Sequence, residues 1–169
     1  MEDNMRALRA LFNNTKDLQG TIEKFINENA ELKKQVESFN AQQVERLKGD
    51  LIAKAQDSGD GIKVIKSVIA LDAALAKDLV FKIREAMPEK LICVIGTVAH
   101  GRPSLNVMLS DDMVAAGLNA GKLVREAAKL IQGGGGGQPH FAQAGGKNAD
   151  GLKEAVDKVI MLIKESMMS

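Results

Sequence analysis

The chain has 169 residues, 45% of them apolar, with 23 Lys plus Arg against 22 Asp plus Glu. That is enough apolar material for one core and excludes a disordered or collagen-like chain. Near-neutral charge and an aromatic set of five Phe without Trp or Tyr disfavour both a general polyanion binder and a stacking platform for unpaired bases, so any nucleic-acid contact has to be local.

Residues 1–58 contain no Pro and two Gly, whereas residues 59–169 hold the other 14 Gly and all three Pro. Composition therefore divides the chain into a helical, coiled-coil-like segment (1–58) and a globular region (59–169). Leu8, Leu11, Thr15, Leu18, Ile22, Phe25, Asn29, Leu32, Val36, Phe39 and Gln43 follow a three-four spacing, the heptad pattern of a long helix. At about 1.5 Å per residue such a rod is roughly 54 Å long and has nothing of its own to bury the stripe against. Asn29 takes the core position also held by Ile22 and Val36, where a buried amide fixes register and favours two strands. Glu28 would then face Lys33 of a second copy. A homodimer through Leu11, Leu18, Ile22, Phe25, Asn29, Leu32, Val36 and Phe39 is expected. Phe12 and Ile26 widen the stripe, so packing on another helix or domain is the competing reading.

Gly59-Asp60-Gly61 ends the rod. Ile62 to Ile69, β-branched with Lys63 and Lys66, predicts a strand; Leu71 to Met87, capped by Asp72 and followed by Pro88, predicts a helix. Leu91 to Ala99 is apolar on both faces and predicts a central strand. At about half a membrane span, and with no signal-peptide pattern before it, that run does not suggest a membrane protein. Gly101-Arg102-Pro103 predicts a turn into the strand Ser104 to Ser110. Asp111-Asp112 reads as a helix start, Ala120 to Ile131 as a helix capped by Asn119 with Gly133 as its left-handed stop, Phe141 to Ala144 as a short strand, and the region from Asn148 as a last helix. The sum is an α+β fold, a mixed sheet covered by about three helices and preceded by a long helix.

The single Cys93 excludes an internal disulfide and a multi-thiolate zinc cluster, and with only His100 and His140 a transition-metal enzyme is not expected. Gly133 to Gly137 is the unusual feature. A flexible linker is the bland reading, but the run has no Ser, lies between a helix and a strand, and is followed within ten residues by Gly145-Gly146. Backbone without side chains admits close approach and points successive N–H groups at an anionic oxygen, so a phosphate-facing loop is reasonable. A nucleotide-hydrolysing phosphate loop fails at two positions, Phe141 and Asn148, relative to Gly146-Lys147. Lys122, Arg125 and Lys129, about one helical turn apart, and Lys147 lie near the run in sequence and supply candidate cations against an ordinary solvated face.

Glycine run, one residue, Pro139, one residue, Phe141, then Ala142-Gln143-Ala144-Gly145-Gly146 closely resembles the C-terminal domain of alanyl-tRNA synthetases, a branch of the DHH-associated domain family shared with DHH phosphoesterases. The preceding helical segment fits the resemblance too. It implies a tRNA-binding and oligomerisation module, a C-terminal fragment that holds the tRNA elbow to aid aminoacylation and editing. It also implies a cytoplasmic location, partnership with the remaining synthetase domains, no membrane, and no catalytic residues, metal or cofactor in this chain. ATP, magnesium and zinc are expected of the parent ligase. The resemblance carries RNA contact onto Gly133, Gly134, Gly135, Gly136, Gly137, Gln143, Gly145 and Gly146. Gln138 and His140, where the family commonly has Arg and Asp, are retained as candidates without the family's charges. Other classes stay open: a substrate-binding domain of a DHH-type phosphoesterase, or a coiled-coil adaptor without an RNA role.

Overall fold

The computed structural model describes residues 1–168. They form an α+β fold in two compact units, 1–42 and from Gln43 onward. The second unit begins inside a helix, sixteen residues before the composition changes, because Val44 and Leu51 are buried among globular-region side chains.

In the first unit, helix α1 (Glu2–Leu11) and the start of helix α2 (Leu18–Ala53) are separate elements. The single rod expected from Leu8 is interrupted: Asn13 and Asn14 adopt positive φ, 54° and 55°, conformations that asparagine tolerates and a helix does not. Asp17 restarts the helix by accepting from the Gly20 N–H at 3.0 Å. Leu11 therefore lies on α1, apart from the other seam residues on α2. Phe12 turns back onto Phe25, ring centroids 5.3 Å apart. Phe25, Leu32, Val36 and Phe39 are exposed.

The second unit is built on a sheet of six strands among the described residues: β1 (Gln56–Asp57), β2 (Lys63–Ala70), β3 (Leu91–Ala99), β4 (Arg102–Leu109), β5 (Gly134–Gly137) and β6 (Phe141–Gly145), in the order β1-β2-β3-β4-β6-β5. Only β2 and β3 pair in parallel, and helix α3 (Ala73–Ala86) connects them. Its cap is Asp72, which accepts from the Ala74 N–H at 3.3 Å. β3 and β4 are joined by His100 and Gly101, both at positive φ (53° and 74°), the two-residue turn whose twist suits a hairpin. β4 consequently starts at Arg102, inside the predicted turn.

Both faces of the sheet are covered, which is why β3 is buried from Leu91 to Thr97. On one face Leu79, Val80 and Ile83 of α3 meet Ile65, Cys93, Ile95 and Met108. On the other, helix α5 (Ala120–Ala128) and helix α6 (Leu152–Met168) bring Val124, Ala127, Val156 and Val159 onto Val94, Leu105 and Val107. Gly96 lets α6 sit close, since a Cβ there would lie 2.9 Å from the Leu152 side chain.

Short helix α4 (Asp111–Ala115) starts where the aspartate pair predicts. Asp112 takes hydrogen bonds from the Ser110 hydroxyl and the Lys90 N–H, and the Ser110 bond foremost holds its carboxyl below the usual range. Asp112 thus fastens α4 to the start of β3.

Candidate functional site

The glycine run is a strand and not a loop. β5 pairs antiparallel with β6, Gly134 opposite Gly145 and Gly136 opposite Gln143. A Cβ at Gly133 would collide with the Gly145 carbonyl, one at Gly135 with the Gln143 carbonyl, and one at Gly137 would lie 2.5 Å from the Phe141 carbonyl. Gly134 and Gly145, by contrast, face open space. Alternate glycines are therefore demanded by close strand packing, and the others leave a bare backbone surface. The left-handed residue that ends the preceding helical turn is Gln132 at φ 52°, not Gly133.

Three of the four expected cations stand on or just past α5, which packs against this strand. Lys122, Arg125 and Lys129 are all exposed on or just past α5. Arg125 lies against β5, its guanidinium 3.5 Å from where a Gly136 Cβ would be. Lys129 is paired with Glu126 at 3.3 Å. At the end of β5 near Gly137, the Gln138 N–H donates to Phe141 O, and the His140 carbonyl accepts from the Leu109 N–H, each at 2.8 Å. Both backbones are fastened to the sheet.

The other end of the strands opens into a cleft of about 970 Å³. Gly133, Gln143, Gly145, Gly146 and Lys147 line it, together with residues that sequence reasoning did not single out as a site: Asp72, Thr97, Arg102 and Ser104. Thr97 stands opposite Ser104, and Ser104 opposite Gly145, so two hydroxyls and a bare glycine line up across three neighbouring strands beyond the start of α3. Strand alternation combined with the register would have exposed that row.

Gln143 supports the cleft from below. Its Nε2 donates to Asn106 Oδ1 at 2.7 Å, Ala73 O at 3.1 Å and Ser104 Oγ at 3.4 Å, and fully buried Asn106 donates on to Ile95 O at 3.1 Å. Arg102 and Lys147 make no ion pair among the described residues. The candidate residues thus occupy three stations: the cleft, the β5–α5 surface, and the Gln138–His140 turn.

Cys93 is outside all three. Burial pushes its thiol up to about 12, so it is a core residue and not a nucleophile. No three His, Cys, Asp or Glu side chains gather in a metal-binding arrangement among the described residues, and no described helix is long and apolar enough to cross a membrane.

Comparison with known proteins identifies the family. The DHHA1 domain family model matches residues 61–165, which contain the whole cleft and the glycine strand. An alanine–tRNA ligase of Bacteroides fragilis is 53% identical over 162 residues, 96% of this chain, and one of Parabacteroides distasonis is 48% identical over 158 residues, 94% of it. The chain spans 18% of the length of these relatives. In three dimensions it is similar to the C-Ala domain of Aquifex aeolicus alanyl-tRNA synthetase, with TM-score 0.56 and 25% identity over 68% of this chain and 98% of that one.

Proposed function

Because the chain belongs to the DHHA1 domain family, we propose that it is a tRNA-binding and oligomerisation module of an alanine–tRNA ligase, holding the tRNA elbow for aminoacylation and editing. The observation that carries this reading is the 53% identity to an alanine–tRNA ligase across nearly the whole chain. The surface is physically suited to the role. Gly134 and Gly145 leave bare backbone that a folded RNA approaches closely, with Lys122 and Arg125 on the adjoining helix and Lys129 just past it for phosphates. In this reading the chain contributes binding, and ATP, magnesium and zinc belong to the remaining domains of a cytoplasmic ligase.

Filter binding at low salt tests it. A tRNA transcript with an intact elbow is expected to bind at least about tenfold more tightly than an RNA duplex of equal length, a difference of roughly 1.4 kcal/mol. Neutralising Lys122 and Arg125 together is expected to weaken tRNA binding and flatten its salt dependence by nearly two counterions. Equal affinity for any duplex would sink the elbow reading.

The exposed stripe on α2 supports the oligomerisation part. Phe25, Leu32, Val36 and Phe39 keep their heptad spacing around Asn29 and lie uncovered, as an unpaired coiled-coil strand would. Sedimentation equilibrium at tens of micromolar is expected to give twice the monomer mass, and Asn29→Leu to alter the oligomeric state. A monomer at that concentration rejects the seam.

A further inference from the structure

We propose that the cleft between the start of α3 and the β3–β4 hairpin receives one unpaired nucleotide of the bound RNA. Its base would carry an exocyclic amino group set toward Thr97 and Asp72, and its phosphate would lie toward Arg102 and Lys147. This rests on the RNA-binding reading above and names a subsite within it.

Thr97 is the observation that carries the proposal. Its side chain is 1% exposed, it lines the cleft, and its Oγ1 has no hydrogen-bond partner, alone in this among the buried side-chain polar atoms of the described residues. A buried hydroxyl without a partner costs on the order of 1–3 kcal/mol, and neighbouring Ser104 and Gln143 are committed to one another at 3.4 Å. The hydroxyl is left with a donor and an acceptor to offer to something entering the cleft.

The charges around it select the ligand class. Asp72, exposed in the same lining, uses one carboxylate oxygen to cap α3; its charge disfavours an anion next to it, while its remaining acceptor capacity suits an amino group of adenine, guanine or cytosine. Arg102 and Lys147, both exposed and without an ion pair among the described residues, place positive charge at the rim, where a phosphate would lie. A buried hydroxyl, a carboxylate acceptor and two cations around one cleft match a base and its phosphate. The base is read at its edge, with the His100 ring and the Arg102 guanidinium plane, both in the lining, available for stacking. The volume falls within the range of about 300–1,000 Å³ usual for ligand clefts.

Thr97→Val keeps the shape and removes the hydroxyl. The variant is expected to melt no lower than the parent chain, since an unpartnered group is lost, yet to bind tRNA about three- to tenfold more weakly. Unchanged tRNA affinity in a folded Thr97→Val chain overturns the proposal. A second measurement uses mononucleotides on the unaltered chain, with the Thr97 methyl resonance followed by NMR. AMP, GMP and CMP are expected to shift it more than UMP, whose base lacks the amino group, and Lys147→Gln to weaken the shift. No shift with any of the four, or UMP acting as strongly as the rest, refutes the subsite. If the unaltered chain fails to bind tRNA at low salt, the RNA reading falls by that result, and the mononucleotide titration still decides the cleft.

Discussion

Gly135→Ala will lower the stability of the globular unit by about 3 kcal/mol or more, at the upper end of overpacking penalties because the obstacle is backbone and not a mobile side chain. The new Cβ would meet the Gln143 carbonyl and lie 2.5 Å from the Ala144 Cα, so β5 has to leave β6 or bend away from it. For a chain of this size the melting temperature should fall by roughly 6–12 °C. Gly134→Ala and Gly145→Ala meet nothing within 4 Å and neither glycine has positive φ. Those variants should melt at or slightly above the parent, since alanine restricts the unfolded chain by about 0.4–1 kcal/mol. Thermal denaturation of the three side by side decides the matter: equal melting of Gly135→Ala and Gly134→Ala would reject close strand packing as the reason for the run. The contrast also separates structure from recognition. A bulky residue at Gly135 damages the fold before it reports on RNA, whereas Gly145→Val, open on the cleft side, should reduce tRNA binding in a domain that still folds.

That asymmetry was hidden in the sequence for a physical reason. Five successive glycines carry no side-chain pattern, and glycine disfavours strands intrinsically, so no periodicity announced β5. Its conformation is imposed by β6 and by α5 packing against it. Where side chains alternate or repeat, the reading from sequence was sharper: the doubly buried β3, the Asp72 and Asn119 caps, and the α6 face from Leu152 to Ile163 all emerge from residue order alone. The break between α1 and α2 was obscured because Thr15 and Leu18 keep the heptad spacing through a turn, and spacing does not register that Asn13 and Asn14 have left helical φ. The cleft was legible only in part. Gln143, Gly145, Gly146 and Lys147 are adjacent in sequence and were visible as a motif. Thr97, Asp72 and Arg102 reach the same place through parallel pairing of β2 with β3 and a hairpin, which is information about register and not composition.

Asn106→Leu will cost about 1–3 kcal/mol, the usual penalty for leaving buried partners without their hydrogen bonds. Leucine has the branching and side-chain heavy-atom count of asparagine, but it removes the acceptor for Gln143 Nε2 and the donor to Ile95 O. Two bonds are lost at a site with no solvent exposure. Gln143 retains Ala73 O and Ser104 Oγ, so the amide stays near its place with less to define it. A double-mutant cycle with Gln143→Ala should therefore show a coupling of roughly 0.5–1.5 kcal/mol in thermal or urea unfolding. The same cycle tested on tRNA affinity distinguishes two roles for Gln143. Its Nε2 already has three acceptors within the domain, which makes Gln143 a positioning residue that joins α3 to the floor of the cleft. Both single variants should then weaken tRNA binding, and the double variant no further than the larger of the two. A loss confined to Gln143→Ala, with Asn106→Leu binding normally, would mean instead that the Gln143 side chain meets RNA directly and that its bonds to Asn106 and Ala73 are exchanged on binding.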